Sequence, residues 1–357
     1  MLFRWLLNKC FPRTAGAPAV APAPTPAASV ARPSAPVFTP KQWAMPAALE
    51  GFARREAFEL PADALQALTE RVAHLPRPPQ DGQRFLSEDF LQRATATQLA
   101  EAILQHPHVA ARLLAQVNAP LYGLSRPVSD VSSAIVFLGL DTVRTVAVQC
   151  LLEDALRPAD ARLRPLFDRW WRSSSLAGQL CLQLGRYVGV SDPGGMVTLA
   201  VLSFVGHMAA LSLREPADTL RDGALDFLER TRAEQEALGL CAGELGCLMM
   251  AQWQMPAAIV EQVRAIDRVL VMPPREMTPE QGLRTALTYY CARVAERFVS
   301  GQWDRVEQAM IGELEGAEFY HLQTHFMRQP RLAQLAADFQ TPEWQASFDA
   351  LLQRARA

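Results

Sequence analysis

The residues able to bind a metal or act as nucleophiles are sparse. Histidine occurs at 74, 106, 108, 207, 321 and 325, and none of the six is followed by aspartate. His321 and His325 share one helical face at i, i+4, a spacing that can clamp zinc, but no acidic or thiolate third ligand stands in register, so a packed or exposed helix is expected there. The cysteines, Cys10, Cys150, Cys181, Cys241, Cys247 and Cys291, contain no C-x-x-C pair and mostly sit in apolar runs, as small buried hydrophobes do. Trp170-Trp171 beside Arg169 and Arg172 could stack on a base, although a helix with one ring in the core gives the same pattern. Arg264/Arg268 and Arg293/Arg297 repeat at i, i+4, which predicts a solvated helix edge. Glu236-Ala237-Leu238 spells EAL without the downstream acidic residues that would make it a cyclic di-GMP phosphodiesterase signature. No phosphate-binding glycine loop or G-x-S-x-G elbow is present.

The elements that would position these residues are helices. Leu65, Leu68 and Val72 recur at three- and four-residue spacing, as do Leu99, Ile103 and Leu104. Thr95 or Thr97 can cap a helix ending at His106-Pro107, and Pro107 suits the first turn of the next. Ser129 or Asp130 can cap the helix after that. Longer helices are predicted over 163–190, 196–213 and 220–238, with others over 245–253, from Pro256, and over 279–299. Strand-like alternation is nearly absent, so the expected class is all-α.

The chain has 357 residues, half hydrophobic, with 35 basic against 37 acidic side chains. That balance excludes a disordered polymer and bulk-charge binding to nucleic acid, so no DNA or RNA partner is expected. Residues 1–12 form a short apolar and basic segment, broken by Arg4 and Lys9 and too short to span a bilayer. Within 1–13, Leu2, Phe3, Trp5, Leu6 and Leu7 could rest weakly on a membrane surface. Residues 13–40 are an Ala/Pro-rich linker, read as a tether. A helical domain is expected over 41–300, with its core at about 65–290, followed by a helical extension over 301–357 packed on it. Free cysteines and the lack of an adequate signal segment point to the cytoplasm.

The stretch HPHVAARLLAQVNAPLYGLSRPVSDVSSAIVFLGLDTVRTVAV, residues 106–148, is the most informative in the chain. With its entry at Leu75-Pro76 and the later block GLCAGELGCLMMAQWQMP, it resembles the HDOD family, the HD-related output domains of bacterial signalling proteins. The resemblance runs through Asn118, Tyr122, Gly123, Arg126, Pro127, Gly139 and Arg144 and implies an HD/HDOD-like multi-helix bundle behind a flexible N-terminal tether. Read from the residues alone, Asn118 ends a helix and satisfies loose backbone groups, and Gly123 permits a tight bend. Asn118, Tyr122 and Arg126 could alternatively line a surface for a partner or ligand.

Catalytic HD phosphohydrolases hold divalent ions with an upstream histidine, a His-Asp doublet and a further aspartate. Against that pattern, Ser173 or Ser174 stands at the first histidine, Ser203 and Phe204 at the doublet, Ala242 at a later histidine, and Ile266-Asp267 where paired histidines often occur. The resemblance therefore implies no metal, no cofactor and no catalytic residue, and a non-catalytic signalling role through contacts with unidentified signalling proteins. A second possibility is a sensor that retains a nucleotide or cyclic dinucleotide in the vacated cavity, with Arg144, Arg172 and His207 as its polar residues. Residual metal-dependent phosphohydrolysis is the remote third.

Overall fold

A computed structural model describes residues 44–78, 85, 90, 93–118, 126–271 and 277–354. The expectations for residues 1–12 and 13–40, and for Tyr122 and Gly123, lie outside the described residues. Residues 44–60 run as a strap with two 3-10 turns, at Ala47–Leu49 and Ala57–Glu59. The helices that follow are α1 (Ala62–Ala73), α2 (Ala96–Leu104), α3 (Pro107–Val117), α4 (Val131–Leu138) and α5 (Leu140–Leu156). Next come α6 (Arg164–Val188), α7 (Pro193–Ser203), α8 (Val205–Leu213), α9 (Pro216–Asp222) and α10 (Phe227–Leu238). The last are α11 (Ala242–Gln252), α12 (Ala257–Arg268), α13 (Pro279–Val299), α14 (Tyr320–Thr324), α15 (Pro330–Phe339) and α16 (Pro342–Arg354). The described residues contain no strand, and the fold is all-α.

Local chemistry explains most boundaries. Thr95 and Gln98 form a reciprocal capping box at α2, and Pro107 occupies the first turn of α3. Asp130 accepts from the Ser133 amide to start α4, and Thr278 with Gln281 does the same for α13. The helix expected through SSAIVFLGL stops two residues early, at Leu138. Gly139 has φ 83°, a conformation costly for a side-chain-bearing residue, and there the chain bends by 119° directly into α5.

Two predicted long helices are each two shorter ones. The stretch 196–213 divides at Phe204, whose amide bonds Val201 O in a tighter 3-10 turn. That break brings the backbone of α8 against α11, where a Cβ on Gly206 would lie 1.7 Å from Ala242 O. The stretch 220–238 divides between α9 and α10 because Asp226 caps a new helix by accepting from the Glu229 amide at 2.8 Å.

Helix α6 is the hub, packed along both α13 and α7. The buried apolar cluster is continuous from Leu49 to Leu352, so the strap and the C-terminal helices share the core. Two buried tyrosines of α13 fasten that last part: Tyr289 donates to Glu318 O at 2.8 Å and Tyr290 to Ala309 O at 2.6 Å. Pro193–Leu213 is long and apolar enough to cross a membrane, but 89% of that window is buried in the fold, the condition of a core helix.

Candidate functional site

Asn118 ends α3 and clamps the segment after it. Its Nδ2 donates to Leu114 O and Val128 O, both at 2.8 Å, and its Oδ1 accepts from Val128 N at 2.7 Å. One side chain thus ties a helix C-terminus across a ten-residue excursion to the approach of α4. Arg126 and Pro127, on that approach, are exposed. Arg144 is turned inward: it donates to Ala94 O at 2.5 Å and lies 3.5 Å from Asp141. Arg172 is exposed on α6. Of the three polar residues expected to share a cavity, Arg144, Arg172 and His207, only His207 lines the cleft described below, and the other two point elsewhere.

The positions read as vacated metal ligands are buried. Ser173 Oγ donates to Arg169 O, Ser174 Oγ to Trp171 O and Ser203 Oγ to Ala200 O, each within its own helix. Phe204 and Ala242 are wholly buried. Asp267 is buried, and its Oδ1 has no hydrogen-bond partner among the described residues. Hydroxyls committed to the backbone, a phenyl ring, a methyl group and one carboxylate do not make the oxygen and nitrogen set a divalent ion requires. These residues do not fit the metal of catalytic HD proteins. Among the described residues no group of three His, Cys, Asp or Glu is placed to hold an ion.

The same region instead holds a seam of internal ion pairs. On one side Arg54, from the strap, reaches into the core and donates to Glu244 Oε1 at 2.8 Å and to Arg264 O at 3.3 Å. Both side chains are essentially sealed from solvent, at 1% and 0% exposure. Burial works against the Arg54 charge, yet Cys241, Glu244 and Asp267 together hold its pKa above the ordinary arginine value. Glu244 also receives Arg264 Nε at 3.1 Å.

On the other side Glu234 accepts from the Ala242 amide at 2.7 Å, while its second oxygen lies 3.7 Å from His207 Nδ1 and 3.8 Å from Arg230 Nε. Arg230 in turn pairs with Glu296 at 2.5 Å, and Arg293 stands 3.1 Å from the same carboxylate. Burial pushes Glu296 up, but Arg230 and then Arg293 overwhelm it and bring its pKa down to about 2. Glu234 is lowered by the same competition, with His207 the first of its favourable partners. The Arg293 guanidinium lies 3.6 Å from the Phe227 ring centroid, close enough for a cation–π contact.

The solvated edge expected for Arg293 is therefore wrong: its side chain is 1% exposed, and its neighbour Arg297 pairs with the buried Glu318 at 2.8 Å. Arg268 is also engaged, with Glu56 of the strap at 2.6 Å. Spacing alone missed Arg54, Arg230, Glu234 and Glu296. The available signal was charge inside apolar runs, as in TYYCARVAERF, where a charged residue needs an internal partner. The His321 and His325 rings stack at 5.5 Å between centroids, and burial takes His321 down to about 4.

Trp170 lies in the core and Trp171 is half-buried, so the pair does not present two free rings. His207 stacks on Trp170 at 5.2 Å and the Arg230 guanidinium lies 4.6 Å over it. Together with Leu166, Arg214, Gly223 and Glu234 they line a cleft between α6, α8, α9 and α10.

Comparison with known proteins gives a consistent family. The HDOD domain profile matches residues 75–269. No curated protein sequence matches. Among solved structures, an HDOD domain protein of unknown function from Geobacter sulfurreducens is 15% identical, with a TM-score of 0.56, covering 82% of this chain and 98% of its own. A candidate phosphohydrolase from Shewanella amazonensis is 19% identical over the same shares, with a TM-score of 0.55. A candidate signal-transduction protein from Marinobacter aquaeolei is 17% identical, covers 82% of this chain and 65% of its own, and has a TM-score of 0.51. These likenesses concern the fold.

Proposed function

This chain belongs to the HDOD family, and from that premise we propose that it is a signal-transduction module that works by binding partner proteins and performs no hydrolysis. The observation carrying the reading is the chemistry at the five positions where HD enzymes ligate metal. Ser173, Ser203, Phe204 and Ala242 supply two backbone-bonded hydroxyls and apolar filling, and Asp267 faces Arg54. Without ligands there is nothing to lower the pKa of an attacking water or to neutralise a phosphate ester. What the fold offers outward is helical surface. Leu104 of α2 and Val136 of α4, on two helices that pack together, are 63% and 81% exposed. The reading places the chain in the cytoplasm of a bacterial cell, with residues 1–13 as a weak membrane contact at most.

The test combines reciprocal affinity purification with a turnover assay. Tagged full-length chain should retain one defined protein in near-stoichiometric amount, that protein should retain the chain in return, and Val136→Asp should weaken the pair. Failure to recover any protein in both directions counts against the reading. Turnover of a phosphate ester after loading with manganese, iron or zinc overturns its non-catalytic part.

A further inference from the structure

The strap is held the way a groove holds a peptide. Gln235 of α10 grips its main chain at two points: the side-chain oxygen accepts from the Arg55 amide at 2.8 Å, and the side-chain nitrogen donates to Ala53 O at 3.2 Å. One amide side chain thus pairs with the main chain on both sides of residue 54, as a neighbouring strand would, and such pairing is indifferent to sequence. Arg232, one turn before Gln235, donates to Ala48 O and lies 5.0 Å from the Phe52 ring centroid. The strap backbone is extended at Glu50, Glu56 and Leu60.

Selectivity comes from one pocket. Arg54 enters between α11 and α12, where its fork meets Glu244, Arg264 O and, at 3.7 Å, Cys241 Sγ. Asp267, 3% exposed, adds a carboxylate whose Oδ1 has no hydrogen-bond partner among the described residues. Gly243 leaves the room: a Cβ there would lie 2.3 Å from Asp267 Oδ2 and 3.3 Å from Arg54 Nη1. Two buried carboxylates make this a cation pocket, and whatever displaces the strap must bring its own guanidinium or strand both charges. With partner binding as its premise, we infer that the groove of α10, α11 and α12 is a docking site for an extended, arginine-bearing segment of a partner protein, and that the strap is its resident competitor. Joined to α1 through Pro61, the strap competes at an effective concentration on the order of millimolar, which holds down binding of any second segment until the strap is released.

The probe is a fluorescein-labelled peptide of the strap sequence, residues 44–60, titrated with full-length chain and followed by fluorescence anisotropy. Arg54→Lys loosens the resident strap yet keeps a cation beside Glu244. Arg55→Pro loosens it a second way, removing the amide that Gln235 binds and leaving the pocket untouched; circular dichroism checks the fold of both. Each variant should bind the peptide saturably and at least tenfold more tightly than the parent does. The same peptide carrying Arg54→Ala should bind at least tenfold more weakly. A peptide that keeps only Phe52 and Arg54, with alanine or serine elsewhere, should stay within tenfold of the full strap sequence. No saturable binding to either folded variant, or equal affinity of the arginine and alanine peptides, overturns the proposal. Loss of binding by the reduced peptide overturns it in favour of a purely intramolecular latch. A parent chain that sediments as a dimer and is split by the peptide overturns it in favour of straps exchanged between copies. The titration contains no partner, so its failure leaves the co-purification reading standing, and absence of a co-purified protein with the peptide bound counts against that reading alone.

Discussion

Replacing Arg54 by alanine removes one member of a sealed ion pair and leaves the other in place. Glu244 is 0% exposed and would keep only Arg264, whose side chain is itself 18% exposed and shared with Glu261. Stranding a buried charge in this way costs about 3–5 kcal/mol. With a urea slope of about 3 kcal/mol per molar, the upper end of the usual range, the unfolding midpoint should fall by roughly 1–1.7 M at unchanged slope. The control is the double variant Arg54→Met with Glu244→Leu, which removes both charges and keeps apolar volume. It should recover at least half of the loss, because an apolar replacement of a buried pair is often close to neutral. Equilibrium urea unfolding followed by far-ultraviolet circular dichroism reads all of these. An Arg54→Ala midpoint within about 0.3 M of the parent, or a double variant no better than the single, would refute the assignment of Arg54 as the partner that makes the Glu244 charge tolerable.

Three further outcomes follow from the interior. Glu296 is depressed in the fold relative to the unfolded chain, so its contribution is complete above the unfolded carboxyl value near 4.5 and is lost as pH falls toward about 2. That loss amounts to about 3 kcal/mol. Glu296→Gln should be less stable than the parent at pH 7 and much closer to it at pH 2.5, measured by urea midpoints. His321 acts in the same direction at higher pH: its folded value is down at about 4, so the unfolded chain takes up a proton first as pH drops below 6.5, and the fold weakens between pH 6.5 and 4. His321→Gln should flatten the thermal midpoint over that interval, and an unchanged pH slope would count against it. Gly206→Ala drives a Cβ to 1.7 Å from Ala242 O, a backbone atom that cannot swing away, so the soluble yield should collapse. Gly301→Ala, where nothing lies within 4 Å of the added Cβ, should cost only the strain of φ 76°.

Class and family were legible because their signals are local. The cap at Thr95, Pro107 at a helix start and Asn118 at a helix end act within a few residues, and the structure uses each as expected. The missed breaks at Phe204 and Gly223–Asp226 have different causes. One comes from the close approach of α8 to α11, which lies 36–40 residues away in the chain. The other is an aspartate cap hidden in a run that periodicity favours as continuous helix. The charged interior escaped sequence reading for a further reason. Arg293 followed by Arg297 gives the same pattern on a wet face as on a buried one, and only the arrival of Arg230 from α10 and Glu318 from beyond α13 distinguishes the two.

The Arg54–Glu244 contact joins residues 190 positions apart in sequence. Synthesis proceeds from the N-terminus at roughly 5–20 residues per second, so Arg54 is joined to the chain about 10–40 s before its carboxylate exists. Through that interval the strap has no berth, and Glu56 likewise waits for Arg268. Although translated early, the strap is therefore set in place only after α11 and α12 have emerged. A ribosome stalled before Asp267 would display a nascent chain whose first described segment is still undocked.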